Sequence, residues 1–161
     1  MEPSEKAYQM IRDWEKFSPR ATKAIKEEKY YTIGYGHYGP DVDKHKFVTV
    51  QQAEELLHQD VEAYSGKLAS ECPYLQQHQY DALISLIYNI GWYNFRHSTT
   101  FLYMKLIGLN YSPEECAARI VLWVRAAGKV LLGLQRRRVA EANYFLGREY
   151  YKIENSEITH I

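Results

Sequence analysis

The sequence has little of the three things that most quickly betray a function: surplus charge, cysteine and long apolar runs. Its 20 Lys and Arg balance 20 Asp and Glu, for a formal net charge of zero. There is thus no bulk basic field of the kind that gathers nucleic acid, and no nucleic-acid partner is expected. Cys72 and Cys116 are the only cysteines and lie far apart in the chain. They exclude both a disulfide framework and a cysteine-built zinc site, and read as core or surface thiols. No apolar run is long enough to span a bilayer, so no membrane insertion is expected. The N-terminal MEPSEKAYQM lacks an apolar stretch of signal-peptide length. The expectation is synthesis in the cytoplasm, with any export needing outside help. The mixed-charge run at 41–46, DVDKHK, includes His45 but has no second ligand cluster. It reads as a solvated loop, and neither a metal nor any other cofactor is expected.

What the chain does have is a core and many tyrosines. At 161 residues, 46% hydrophobic and 25% charged, it is expected to form one globular domain. Its fifteen tyrosines suit a saccharide surface or a packed core equally well. Ala7, Met10, Ile11 and Trp14 recur at helical spacing, with Ser4 as N-cap, and predict a first helix ending near Glu15. Ser18-Pro19 stops it. Strands are predicted at 20–25 and 30–35, joined by a Lys26–Lys29 turn without the Gly or Asn of a tight primed type, with a third short strand near Tyr38. A long helix follows at 49–71, opened by a Thr49/Gln52 capping box. Ala53, Leu56, Leu57, Val61, Tyr64 and Leu68 form its buried stripe. Glu54, Glu55, Asp60 and Glu62 read as its solvated face. Cys72-Pro73 breaks the chain, and the apolar segment 76–90 predicts a hub helix stopped by Gly91. An aromatic turn at 92–94, a Ser98-capped helix at 99–107, a Ser112-Pro113 helix start and a last helix at 132–146 complete the reading. Arg136-Arg137-Arg138 reads as a solvated face with an Arg137–Glu141 pair, or as a site for acidic peptides or a carboxylate.

One stretch, residues 15–38, organises the rest. Glu15 lies one turn after Ile11, beside the apolar stripe, where partial desolvation favours the protonated acid. An acid so held can give a proton to a leaving group. Residues 30–37, YYTIGYGH, alternate large with small residues, and Gly34 and Gly36 are costly in a strand unless something must approach the backbone. With Tyr30, Tyr31, Tyr35 and Tyr38 around it, this strand suits a sugar-binding cleft or a plain hairpin.

The run T-I-G-Y-G-H at Thr32 to His37, placed after Glu15, resembles the phage-type lysozymes. The segments TVQQAEELLHQD, QYDALISLIYNIG, FRHST and WVRAAGKVLLGLQRRRVAEANYFL follow in that family's order. The resemblance implies an α+β lysozyme-like fold: a small three-stranded antiparallel sheet lobe with the first helix (1–48), a linking helix (49–71), a larger all-helical lobe (72–147) and a loosely held tail (148–161). It implies a peptidoglycan muramidase, a monomer without cofactor acting on glycan strands at the cell wall, with Glu15 as general acid, Thr32 orienting water, and Tyr38, Tyr88 and Ser98 near the sugar. Members of the family are often basic, and this chain is neutral.

The sequence departs from the family pattern at the site itself. Lys16 stands where the family has Gly after the acid. The family's catalytic Asp is missing: counting from Glu15 its place reads Ala24, and counting back from Thr32 it reads Lys26, because the interval is two residues longer. Glu27 and Glu28, in the predicted turn, are the nearest carboxylates and candidate replacement bases. Three readings stay open: a hydrolase with a displaced base, a single-acid enzyme like the lytic transglycosylases, and a catalytically silent saccharide-binding or interaction protein.

Overall fold

Helix α1 (Glu5–Glu15) opens the chain. The Ser4 hydroxyl caps it by accepting from the Lys6 amide at 3.2 Å, and Ser4 is tied in turn to the buried carboxylate of Asp81. This computed structural model describes residues 1–154. After α1 come β1 (Ser18–Thr22), β2 (Tyr31–Gly34), β3 (His37–Gly39), α2 (Val50–Glu71), α3 (Gln77–Ile90), α4 (Trp92–Arg96), α5 (Thr99–Lys105), α6 (Pro113–Ile120), β4 (Arg125–Ala126), β5 (Lys129–Val130) and α7 (Leu132–Phe145). The chain divides into two compact units, residues 11–63 and residues 1–10 with the chain from Tyr64 onward. Helices α1 and α2 each contribute residues to both.

In the first unit β1, β2 and β3 form an antiparallel sheet in that order. The register sets Thr22 opposite Thr32, and Thr32 opposite Tyr38. Ile33, Val42, Val48 and Ala53 make its core, with Ala21, Tyr31, Tyr35 and Leu56 packed around them. Burying Ile33 and Val48 contributes roughly 2 kcal/mol each. Gly34 is what lets β2 meet α2, since a side chain there would stand 3.1 Å from the Ala53 Cβ. The expected capping box is present: the Thr49 hydroxyl accepts from the Gln52 amide at 3.1 Å, and the Gln52 side chain accepts from the Thr49 amide at 2.9 Å.

The second unit is built around α3, which is buried from Gln79 to Ile87 and packs against α7. Tyr80, Leu83, Ile84, Phe95, Met104, Ile120 and Phe145 fill its core. Two tyrosine hydroxyls in this core are satisfied: that of Tyr80 donates to the Ser65 carbonyl at 2.9 Å, and that of Tyr64 to the Ile84 carbonyl at 2.7 Å. Cys72 and Cys116 are core thiols, unbridged and buried.

Several expectations are corrected. Strand β1 starts at Ser18, so Pro19 lies inside it. That is tolerated because β1 is an edge strand. The segment at 92–96 is a short helix, and α6, opened at Ser112-Pro113, stops at Ile120. A hairpin, β4–β5, follows it, turned by Ala127 and Gly128 at φ of 50° and 77°. Periodicity could not show two-residue strands. The Arg136–Arg138 run is not a solvated face: Arg137 is 4% exposed and Arg138 fully buried. Their charges are held inside by Glu141, itself fully buried, at 3.0 and 2.8 Å. Glu54 and Asp60 are not simply solvated either, since each pairs within the sheet unit. Tyr150 and Ile153 are buried, so the described part of the tail is anchored at these two residues, with Tyr151 between them exposed. Residues 155–161 lie outside the described residues.

Candidate active site

The site grows from the end of α1. Glu15 is the helix's last residue and is half-buried. Lys16 follows at φ 55°, its amide donating back to the Arg12 carbonyl at 3.0 Å. This left-handed closing residue is where the resemblance led one to expect glycine, and a lysine there carries strain of about 1–2 kcal/mol. The chain then turns directly into β1.

Gly36 seats the Glu15 carboxylate. A Cβ on Gly36 would fall 2.8 Å from Glu15 Oε2 and 3.2 Å from its Cδ, and Gly36 has a φ of 80°. The second glycine of T-I-G-Y-G-H is therefore needed twice, for its backbone angle and for the bare face it shows the acid. Arg12, one turn before, is clamped by Glu54 through two bonds of 2.6 and 2.8 Å, which fixes the end of α1 against the start of α2.

His37 closes the other end of the motif. Its Nδ1 lies 2.8 Å from Asp60 on α2, and its Nε2 lies 2.9 Å from Asp41. The hydrogen bond with Asp60 raises its pKa above the ordinary 6.5. Burial opposes this, and the bond with Asp41 adds to it. Burial would raise the Asp41 carboxyl, but the His37 hydrogen bond and charge hold it below its ordinary value.

The segment between β1 and β2 carries the candidate replacement bases. Glu28 Oε2 accepts from the Ala24 amide at 3.0 Å. Lys23 donates to the Glu28 carbonyl at 2.6 Å and lies 4.7 Å over the Tyr31 ring. The turn therefore folds Glu28 back onto Ala24, the position where counting from Glu15 finds the aspartate missing. Glu27 is exposed. Thr32 is half-buried in β2, opposite Tyr38. Tyr38 is 48% exposed, with its hydroxyl accepting from the Tyr30 amide at 3.2 Å and its ring edge-on to Tyr30.

In the helical unit Tyr88 stands half-buried on α3. Ser98 caps α5: its hydroxyl donates to the Phe95 carbonyl at 2.6 Å and accepts from the Phe101 amide at 3.2 Å. The sequence reading missed Gly36 as a seat, the Arg12–Glu54 clamp, both partners of His37, and a bond from Arg138 to the Asn89 amide oxygen. Only the glycine left a signal, its cost in a strand. The other pairs join residues distant in sequence. Among the described residues no group of His, Cys, Asp and Glu could hold a metal ion.

Residues 12–141 match the family model for phage lysozyme. The chain belongs to the phage lysozyme family. Among its relatives is the endolysin of Bacillus phage PZA, 37% identical over 146 residues, a match covering 90% of this chain and 55% of that protein. The endolysin of Acyrthosiphon pisum secondary endosymbiont phage 1 is 34% identical over 150 residues, covering 90% of this chain and 98% of that one. Among solved structures, an endolysin from Escherichia coli O157:H7 phage FAHEc1 superposes with a TM-score of 0.80 at 29% identity, over 94% of this chain and 98% of its own. The chain spans about half the length of the PZA endolysin it matches. The α+β phage lysozyme fold, with its three-stranded sheet, is thus the fold of this chain, and the lysozyme resemblance of the motif holds across the family region.

Proposed function

We propose that this member of the phage lysozyme family is a peptidoglycan muramidase that hydrolyses the β-1,4 bond between N-acetylmuramic acid and N-acetylglucosamine. The observation that carries the reading is the seat of Glu15: a carboxylate at a helix end, held against the bare backbone of Gly36 inside the family's motif. In the proposed reaction Glu15 protonates the glycosidic oxygen as the bond from the sugar's C1 breaks. Water attacks C1. The Thr32 hydroxyl, no base at neutral pH, orients that water, and Glu28 takes its proton. The Ala24 amide supports Glu28 in this role over Glu27, because it holds one carboxylate oxygen of Glu28 in a fixed place while leaving lone pairs on the other. Tyr38, Tyr88 and Ser98 are the proposed sugar contacts. The two hydrogen bonds of the Ser98 hydroxyl leave it one lone pair to offer.

The partner is the glycan strand of the cell wall, and the place of action is that wall. No helix among the described residues is long and apolar enough to cross a membrane. The test is loss of turbidity of purified walls, with mass spectrometry of the released ends in ¹⁸O-water. Clearing with ¹⁸O-labelled reducing ends, abolished in Glu15→Gln and reduced about 10²- to 10⁴-fold in Glu28→Gln, is the expected result. Anhydro-muramic ends with Glu28→Gln fully active would establish single-acid chemistry instead. No clearing by the wild-type protein would leave a saccharide-binding protein on the lysozyme fold.

A further inference from the structure

Among the described residues two that are not glycine adopt a left-handed backbone, Ala127 at a φ of 50° and Lys16 at a φ of 55°. Ala127 has a local reason. It opens the two-residue turn of the β4–β5 hairpin, and primed hairpin turns ask for a positive φ at one or both central residues. At Lys16 the local need explains the angle but not the residue. Closing α1 takes a left-handed residue, and glycine would meet that need without strain. A strained angle at a site of chemistry points to a use for the side chain that is kept there.

The Lys16 side chain is exposed, and its ammonium makes no hydrogen bond or ion pair among the described residues. Its charge therefore holds nothing in the fold together. Its neighbour fixes where it stands. Successive Cα atoms lie about 3.8 Å apart, so Lys16 is beside Glu15, whose carboxylate Gly36 seats. An acid that protonates a glycosidic oxygen comes within about 3 Å of it. The four-carbon stem of Lys16 then carries the ammonium within reach of the sugar whose bond is cut. Along its own arm that charge is not cancelled: residues 16–26 carry Lys16, Arg20, Lys23 and Lys26 and no acid. In a chain of zero formal net charge, attraction for an anionic polymer has to be local in this way.

We infer that Lys16 is a specificity-determining residue, which reads a carboxylate borne by the muramic sugar at the scissile bond. The inference rests on the peptidoglycan reading above. The muramic ring gives its C1 to that bond and carries a lactyl carboxyl group on the same ring. In a bare strand this group is itself a carboxylate. In a strand with a peptide stem it is an amide, and the carboxylates of the stem carry the charge. A lysine ammonium is a compact point charge on a flexible stem, so it suits either source, where an arginine fork would favour one planar geometry. The contact is exposed, so it contributes modestly and weakens with salt.

The test uses the full chain carrying Glu15→Gln, titrated with soluble glycan strands in four forms: bare, bare with the carboxyl groups amidated, stem-bearing, and stem-bearing with the carboxyl groups amidated. A charged form should bind about two- to fivefold more tightly than its amidated counterpart, and the gap should close as salt rises. A preference confined to bare strands identifies the lactyl carboxylate, one confined to stem-bearing strands identifies the stem, and one in both shows that the ammonium serves either. Lys16→Gln, which keeps the left-handed backbone and removes the charge, should abolish the preference, and Lys16→Arg should retain it. Arg20→Ser makes the same change of charge at another exposed position on the arm and should leave the preference intact. With Glu15 in place, Lys16→Gln should raise KM for charged strands by the same factor and leave kcat unchanged, as loss of uniform binding does. No preference in either pair of strands, a preference that survives Lys16→Gln or falls equally with Arg20→Ser, or a loss confined to kcat would overturn the inference. Wall clearing by the wild-type chain separates the two claims. Clearing without a charge preference sinks the role of Lys16 alone, and a Lys16-dependent preference without clearing sinks the muramidase alone.

Discussion

Replacing Gly36 by alanine separates the placing of the acid from the stability of the fold. The added Cβ would stand 2.8 Å from Glu15 Oε2, where ordinary contact begins near 3.4 Å. The atom it meets is the far end of a flexible side chain, so the carboxylate yields by about 0.6 Å and little strain remains in the contact itself. The backbone penalty is separate: alanine at a φ of 80° costs about 1–2 kcal/mol, offset by about 0.4–1 kcal/mol from a stiffer unfolded chain. The net loss of about 1 kcal/mol lowers the melting temperature by roughly 2–4 °C for a chain of this size. Activity should fall much further, because an acid displaced by a sizeable fraction of an ångström loses roughly ten- to a hundredfold in rate. Thermal unfolding and wall clearing measure the two effects on the same preparation. In a Glu15→Gln background Gly36→Ala should remove no further activity, since both changes act on one group. Full clearing by Gly36→Ala would refute the idea that this glycine places the acid.

Lys16→Gly should raise the melting temperature by roughly 1–3 °C, since it relieves a left-handed lysine at the cost of glycine's extra backbone entropy; an unchanged or lower value would contradict the strain. The His37 clamp should depend on pH in a set direction. The folded pKa of His37 lies above 6.5, so its contribution is complete below pH 6.5 and fades as pH climbs through the folded value, while that of Asp41, whose pKa is lowered from 3.8, is present above pH 3.8 and fades on acidification below it. The melting-temperature gap between wild type and His37→Gln should therefore be larger at pH 5 than at pH 9. Glu141→Gln leaves two buried guanidiniums without their counter-charge and should cost about 3–5 kcal/mol in denaturant unfolding; a loss under about 1 kcal/mol would mean that the core takes the charges unaided. Burial pushes both thiols up to about 12, so Cys72 and Cys116 should resist alkylation at pH 8 in the native protein and react once it is unfolded.

The helices were legible because each carries its own signals. Val50–Glu71 announces itself by a capping box and a stripe, and Pro113–Ile120 by Ser112 with a proline at the first turn. The motif residues were legible for a different reason, a resemblance that covers most of the chain. What could not be read is what depends on pairing across distance. The triple arginine looks like a solvated run with a local Arg137–Glu141 pair until Ser85, 52 residues before Arg137, arrives to bury that pair. Asp60 and Glu54 have the spacing of an outer helix face, yet α1 and β3 supply Arg12 and His37 to them. The β4–β5 hairpin is too short for any period to show.

The two departures at the site are best understood as one. A two-residue longer arm between Glu15 and Thr32 and the loss of an acid at Ala24 look independent in sequence. In the folded hairpin they meet, since the chain doubles back there and brings Glu28 onto the Ala24 amide. A carboxylate presented from the returning arm can stand where one on the outgoing arm would have stood, and the lysine at 23 steadies the return by binding the Glu28 carbonyl. On the proposed mechanism this makes a pair of changes the decisive experiment. Ala24→Asp alone adds a carboxylate beside Glu28, and like charges at that distance oppose each other's ionisation. Ala24→Asp with Glu28→Gln restores a single base on the outgoing arm. The double variant should therefore recover clearing that Glu28→Gln alone has lost, and a double variant as inactive as Glu28→Gln would show that the longer arm has carried the base out of reach of either position.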